Sequence, residues 1–445
     1  MRYRRLNQAR RSMLMKLLRQ HVFHLSDIPR DLDSVITIDS KKEVDPREVG
    51  LLQSDVDRIW DAIIRLYKTG VHPAISACIR HRGKVLLSRA IGHARGNGPN
   101  DNPDTGKVLA TPDTPMCLFS TSKGITALLM HMLQEDGLLN VADPVTFYAP
   151  EFARKGKDNI TIHQILAHRG GIPGLPKNVA LEVLWDEDQT WELLCDSKPI
   201  VTDGSRLAYH AITGGFVLER VLRQVTGGDI NAYINTKIRE PMGMKYFSYG
   251  IEPGHLDELA LNYATGPRPG PLMGAFIKRA LGTDILSIET LCNDPRFQQA
   301  IIPAGNLAST AEEVCRFFQM MLNGGKWGRR RICSERTVAR ATQEFGSRTL
   351  DRTLFLPMRF SAGLMLGDEP FGIWGPNSRQ AFGHLGLINK FAWADPQRDM
   401  SAAVLTSGLP IIAHHLPALV SMMRSIGNTI PATHGGPDAL ALQVE

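Results

Sequence analysis

Phe119-Ser120-Thr121-Ser122-Lys123-Gly124-Ile125-Thr126-Ala127-Leu128-Leu129-Met130-His131-Met132-Leu133-Gln134-Glu135-Asp136-Gly137 is the stretch on which the reading of this chain turns. Ile125, Leu128, Leu129, Met132 and Leu133 recur at helical spacing and Gly137 ends the run, so a helix begins at or just before Ser120. Lys123 then stands one turn on, on the face of Ser120, where its amine can reach the hydroxyl. A serine hydroxyl is a weak nucleophile at its own pKa and needs a base within hydrogen-bond reach. A lysine kept neutral by a desolvated, cationic setting can be that base. The helix N-terminus adds free N–H groups and a dipole that favour developing negative charge. Taken alone, Ser-x-x-Lys arises by chance in many chains of 445 residues, so its surroundings set its weight.

Upstream, Val56, Ile59, Trp60, Ile63, Ile64 and Tyr67 predict a helix over Ser54–Tyr67, stopped by Gly70. Ala74–Arg80 and Lys84–Gly92, separated by His81-Arg82-Gly83, predict two adjacent antiparallel strands. From Cys117 to Gly325 the signals are mainly helical. Strands return as Ser361–Leu366, Gln380–His384, Asn389–Ala394 and Met400–Thr406, followed by a closing helix over Leu409–Ile426. Strands at both ends with helices between them imply an α+β fold: an antiparallel sheet flanked by helices, with an inserted all-helical lobe and a cleft between the two. The expected division is a basic N-terminal extension and linker over 1–50, a sheet domain over 51–110 plus 330–426, a helical domain over 111–329 and a loose Gly/Pro-rich tail over 427–445.

The serine–lysine helix follows two strands and a Pro-rich loop, the setting in which serine β-lactamases and penicillin-binding proteins carry this motif. Together with Leu139-Asn140-Val141-Ala142-Asp143-Pro144-Val145 and Ile160–Pro173, it resembles the serine hydrolases of the class C β-lactamase type, over about residues 54–426. The resemblance implies two further motifs. For Tyr-x-Asn the match is Tyr209-His210-Ala211, with the tyrosine as proton shuttle, its phenol pKa lowered by the lysine cation, and His210 beside the substrate. For Lys-Thr-Gly the match is His384-Leu385-Gly386, with His384 as the cationic or hydrogen-bonding group, Leu385 beside the substrate, and Gly386 letting substrate lie along the strand. It also implies an oxyanion hole from the Ser120 and Leu387 main-chain N–H groups. Ala211 departs from the family pattern, because a methyl group cannot make the hydrogen bonds of the asparagine amide. That puts amide hydrolysis in doubt and points to the esterases with the β-lactamase fold. Leu272 and Met273, in the apolar stretch Gly266–Phe276, are expected as a wall or lid of the acyl pocket.

Three functions remain open. The first is a carboxylesterase or acyltransferase for small to medium acyl groups, working through an acyl-enzyme. The second is a β-lactam or D-amino-peptide hydrolase, and the third an idle, membrane-associated or self-assembling scaffold. The expected partner is a small ester or amide substrate; the resemblance implies no metal and no organic cofactor, and oligomeric state is not legible. The +6 net charge and pI near 9.0 suggest nucleic acid or membrane at first. Yet Arg2, Arg4, Arg5, Arg10, Arg11, Lys16 and Arg19 carry +7 within residues 1–25, with no acid among them, which leaves −1 for the rest. A near-neutral body argues against phosphate-backbone binding. Residues 1–25 read as a basic amphipathic helix, either a peripheral membrane contact or targeting segment, or a helix packed on its own protein. No run approaches the ~18 apolar residues of a membrane span, and cytoplasmic, with membrane association through that segment, is the expected location. Six scattered cysteines make no zinc pattern, Gly92–Gly98 opens no helix, and no Gly-x-Ser-x-Gly elbow is present.

Overall fold

The computed structural model describes residues 23–432, except 103, 173, 177, 178 and 388. Its main sheet has eight strands: β1 (Ile36–Ile38), β2 (Ala74–His81), β3 (Lys84–Arg95), β4 (Val108–Leu109), β5 (Met365–Leu366), β6 (Phe382–Gly386), β7 (Lys390–Asp395) and β8 (Met400–Thr406). They run in the order β1-β3-β2-β8-β7-β6-β5, antiparallel throughout, with β4 beside β3. The chain ends meet at the β2–β8 pair, where Ala77 lies opposite Val404.

Alternation sends the two sets of side chains of each central strand to two cores. Ile75, Ala77 and Ile79 of β2, with Ala402 and Val404 of β8, meet α1 (Gln53–Lys68) and the closing helix. Ala74 and Cys78, with Ala403 and Leu405, face the helical side. There lie α2 (Ser122–Glu135), α3 (Thr213–Thr226), α4 (Pro271–Leu281) and α5 (Ala311–Leu322). The closing helix is α6 (Leu416–Thr429), packed against α1. Both faces are therefore covered, and β2 and β8 are buried along their whole length.

Several expectations shift. The linker over Asp27–Gly50 is docked instead: β1 pairs with β3, and Glu43 holds Arg89 at 2.8 Å. Three residues are too short a strand to show a period, so neighbouring chain, not local pattern, makes it. Between 111 and 329 the lobe is not all helical, since Met116–Cys117, Leu307–Ser309 and Ser248–Tyr249 form a small sheet and α5 belongs to the layer on the main sheet. Ser361–Leu366 narrows to the two residues of β5. The closing helix begins later than expected, at Leu416, with Pro417 in its first turn. It also runs past 427: Gly427 lies inside α6, where an added Cβ would stand 2.9 Å from Pro376 Cδ, so 427–430 is packed structure, not tail. The expected basic helix over 1–25 lies, but for Phe23–Leu25, outside the described residues. All six cysteines are buried and unpaired. No helix among the described residues is long and apolar enough to cross a membrane.

Candidate active site

Ser120 sits in a single 3-10 turn, Phe119–Thr121, that feeds directly into α2. Thr121 holds the N-cap position of α2 without capping it, because its hydroxyl donates to the His384 carbonyl at 3.2 Å. The turn is thereby tied to β6. Gly386 completes the contact: a Cβ there would fall 2.0 Å from the Leu118 carbonyl oxygen and 3.0 Å from Thr121 Oγ1. Its lack of a side chain lets the Ser120 turn and the strand touch, which differs from the expected role of making room for substrate. Phe119 (φ 47°), His168 (φ 56°) and Leu387 (φ 36°) occupy the left-handed region around the same point. Non-glycine residues hold that conformation at a cost of about 1–3 kcal/mol each, and such strain clusters at functional sites.

Lys123 is 8% exposed, while Ser120 above it is half-exposed and open to a ligand. The amine lies 3.1 Å from Ser120 Oγ, 2.6 Å from the Ala211 carbonyl and 2.9 Å from the Ala304 carbonyl. Burial lowers its pKa to about 7. In the neutral form two N–H groups satisfy the two carbonyls, which turns the remaining lone pair toward the serine hydroxyl. The main chain of Ala211 thus orients the lysine at the position where the family's asparagine side chain is absent. Gly215, at the start of α3, makes room for Ala304, whose main-chain nitrogen a Cβ would approach to 2.6 Å.

The Tyr209 ring lies with its centroid 5.0 Å from Lys123 Nζ. Burial raises the phenol pKa above its ordinary value, and the Ser120 hydroxyl pulls only partly against it, so the expected lowering by a lysine cation is corrected. Tyr209 stays a protonated phenol. Its main-chain N–H donates to the fully buried Asp351 at 3.3 Å, and Asp351 also accepts from Thr353 and Leu354.

His384 is fully buried, and burial followed by the nearby Lys123 lowers its pKa to about 3. Its Nδ1–H donates to the Leu385 carbonyl at 2.7 Å, leaving Nε2 as an acceptor without a partner among the described residues. It is a neutral imidazole; the expected cation is not there. Leu385 is half-buried on the other face of β6, against the core of α1 and α6.

His210 also departs from its expected place beside substrate. It is buried, with a pKa lowered to about 4, and lines a cavity of ≈ 20 Å3 behind the amine together with Lys123, Thr126, Ile165 and His168. Neither ring nitrogen has a partner among the described residues, and such a volume admits one water. The His210 main-chain N–H donates to His168 Nδ1 at 3.2 Å, and the His168 ring stacks obliquely on Tyr209 at 4.5 Å. Leu272 is 90% exposed in the first turn of α4, and Met273 is half-buried against the helical-side core. An outward-facing Leu272 cannot form a pocket wall, so that expectation is corrected.

Sequence reasoning missed His168, Ala304 and Asp351. Asp351-Arg352-Thr353 carried the signature of a side chain capping its own turn. The Ala304 carbonyl had no side-chain signal at all.

The fold agrees with the comparisons. The chain matches the Beta-lactamase family over residues 60–417 and belongs to it, as a serine hydrolase. Among curated relatives, the esterase/beta-lactamase LipL of Mycobacterium tuberculosis is 27% identical over 318 residues, 68% of this chain and 72% of that one. A penicillin-binding protein homolog from Caulobacter crescentus superposes with a TM-score of 0.72 at 25% identity, covering 85% of this chain and 99% of that one. A family VIII carboxylesterase shares the fold, with a TM-score of 0.70 at 24% identity, covering 84% and 98%.

Proposed function

We propose that this protein is a carboxylesterase for small to medium acyl esters, able to pass the acyl group to water or to an alcohol. The observation that carries the reading is the Lys123 amine, fixed on two main-chain carbonyls with its third direction on Ser120 Oγ. Lys123 takes the Ser120 proton as Oγ attacks the ester carbonyl. The oxyanion is held by the Ser120 and Leu387 amides, a reading supported by the close approach of Gly386, next to Leu387, to Leu118 and Thr121 on either side of the Ser120 turn. The carbon–oxygen bond to the alcohol breaks, and the leaving alkoxide takes a proton from the Tyr209 phenol, which the lysine ammonium refills. Water then attacks the acyl-serine and gives its proton to Lys123; the bond from the acyl carbon to Oγ breaks, the lysine ammonium returns the proton to Ser120 Oγ, and the carboxylic acid leaves.

Two features favour esters over β-lactams and peptides ending in D-alanine. An alkoxide departs more readily than an amine, so the missing asparagine amide matters less. Those alternative substrates also carry a carboxylate, and the neutral His384 offers it no charge. The LipL relative is named an esterase as well as a β-lactamase, and the β-lactam or D-amino-peptide reading therefore stays as the second.

A fluorophosphonate probe is expected to label Ser120, and Ser120→Ala to lose both labelling and turnover of p-nitrophenyl butyrate. Wild-type protein that takes no label would end the catalytic reading and leave the idle scaffold. Nitrocefin turnover equal to ester turnover would move the assignment to the second reading.

A further inference from the structure

Residues 207–212 form neither helix nor strand, yet they supply two parts of the site: the Tyr209 phenol and the Ala211 carbonyl that accepts from Lys123 at 2.6 Å. A stretch without a ladder or helical turn of its own keeps its position through bonds to its neighbours. The Leu207 carbonyl accepts from the Arg352 N–H at 3.0 Å, the Ala208 N–H donates to the His168 carbonyl at 3.0 Å, and the Tyr209 N–H donates to Asp351 Oδ1 at 3.3 Å. Those bonds reach as far as Tyr209. The next N–H, that of His210, donates to a side chain, His168 Nδ1 at 3.2 Å, one residue before the carbonyl that cradles the amine.

A main-chain N–H can only donate, so Nδ1 is the acceptor and the ring proton stands on Nε2. Burial, with His210, Lys123 and His384 facing the ring, holds the His168 pKa well below its ordinary value and keeps this neutral form. The same ring has its centroid 4.5 Å from that of Tyr209, tilted by 51°, and stands edge-on to Phe360 at 5.2 Å. One imidazole therefore touches both products of the 207–212 stretch: the chain leading to the Ala211 carbonyl and the phenol ring. It does so from φ 56°, a conformation that residues with a side chain seldom adopt. Backbone kept in such a region where one side chain serves two groups of the site points to function.

We propose that His168 is a positioning residue for the ester reaction: through Nδ1 it sets the chain that presents the Ala211 carbonyl to Lys123, and through its ring it sets the Tyr209 phenol. The imidazole itself transfers no proton. This role rests on Lys123 acting as base and Tyr209 as acid.

The test is steady-state turnover of p-nitrophenyl butyrate by the full chain across pH, beside the rate at which a fluorophosphonate labels Ser120. His168→Ala should lower kcat and the labelling rate by about 10², the cost of a misplacement of about 1 Å, with KM changed less than about threefold. The rise of kcat/KM should also move above pH 7, because a loosened 210–211 chain admits water to an amine whose burial holds its pKa at about 7. His168→Asn places Oδ1 where Nδ1 stands and tolerates the left-handed region, so kcat should return to within about fivefold of wild type. His168→Gln, close to imidazole in size, carries its acceptor one bond further out and misses the His210 N–H. It should behave like His168→Ala, and it supplies the answer if the smaller variant folds poorly. Alanine and glutamine variants that match wild type would overturn the proposal while leaving the serine–lysine chemistry in place. So would an asparagine variant as impaired as the alanine one, or a loss of kcat in which the melting temperature falls and the pH rise stays near 7, the pattern of a residue that only packs. Wild-type protein that takes no label would overturn the base and acid reading, and this role with it.

Discussion

At the scale of single residues, the chemistry rests on the protonation states of Lys123, Tyr209 and His384. Because burial holds the Lys123 pKa near 7, its base form is absent at low pH and fills in as pH rises through that value. kcat/KM for p-nitrophenyl butyrate is therefore expected to climb through about pH 7, and a profile flat from pH 5 to pH 9 would contradict Lys123 as the base. Lys123→Arg keeps a donor for the Ala211 and Ala304 carbonyls but cannot lose its proton. It should lower kcat by about 10²–10⁴ at every pH. Ser120, Lys123 and Tyr209 were legible because their residue types and spacing are themselves the signal. The two carbonyls that aim the lysine were not, since every residue has a carbonyl and only the fold selects which one faces the amine. The charge of His384 was misread for a related reason: an imidazole is neutral or cationic according to its burial, and burial at β6 depends on α2 lying across it.

At the scale of elements, the site depends on how closely β6 approaches the turn ahead of α2. Gly386→Ala would drive its Cβ into the Leu118 carbonyl at 2.0 Å, so strand and turn must separate. Displacing catalytic groups by about 1 Å costs on the order of 10² in rate. We expect kcat to fall by about that factor and stability to drop by roughly 1–3 kcal/mol, read from urea unfolding. Normal turnover in this variant would mean that the contact does not position Ser120. The central strands and α1 were legible from their periods: β8 falls where it was placed, β2 ends one residue later, β3 runs three residues further to Arg95, and α1 differs by one residue at each end. Short elements were not. β1, β5 and the 116–117/307–309/248–249 sheet have too few residues for a period, and each forms because a partner strand offers hydrogen bonds.

At the scale of the whole molecule, the interior holds histidines from distant segments, all neutral. Burial leaves His131 near 4, His210 near 4, His384 near 3 and His415 near 4, and puts His72 and His168 well below the ordinary value. In the unfolded chain these imidazoles titrate near 6.5, so below that pH the unfolded state binds more protons than the folded one. Their contribution is complete above about pH 6.5 and is lost as pH falls toward 4. The melting temperature should decline steeply across that window. His131 lies away from Ser120 and donates through Nε2–H to the Ala362 carbonyl at 3.1 Å, so His131→Gln keeps a donor while removing one titrating group, and should make the decline shallower. An unchanged slope would exclude His131 from the effect. The sequence by itself determined the family resemblance, the α+β class and the pairing of Ser120 with Lys123, because these follow from residue type and local period. Tertiary structure alone decided the neutrality of His384, the raised phenol of Tyr209, the carbonyl cradle of Lys123 and the outward turn of Leu272. Each of those depends on which remote segment removes water from a group or hands it a partner, and no local pattern carries that information.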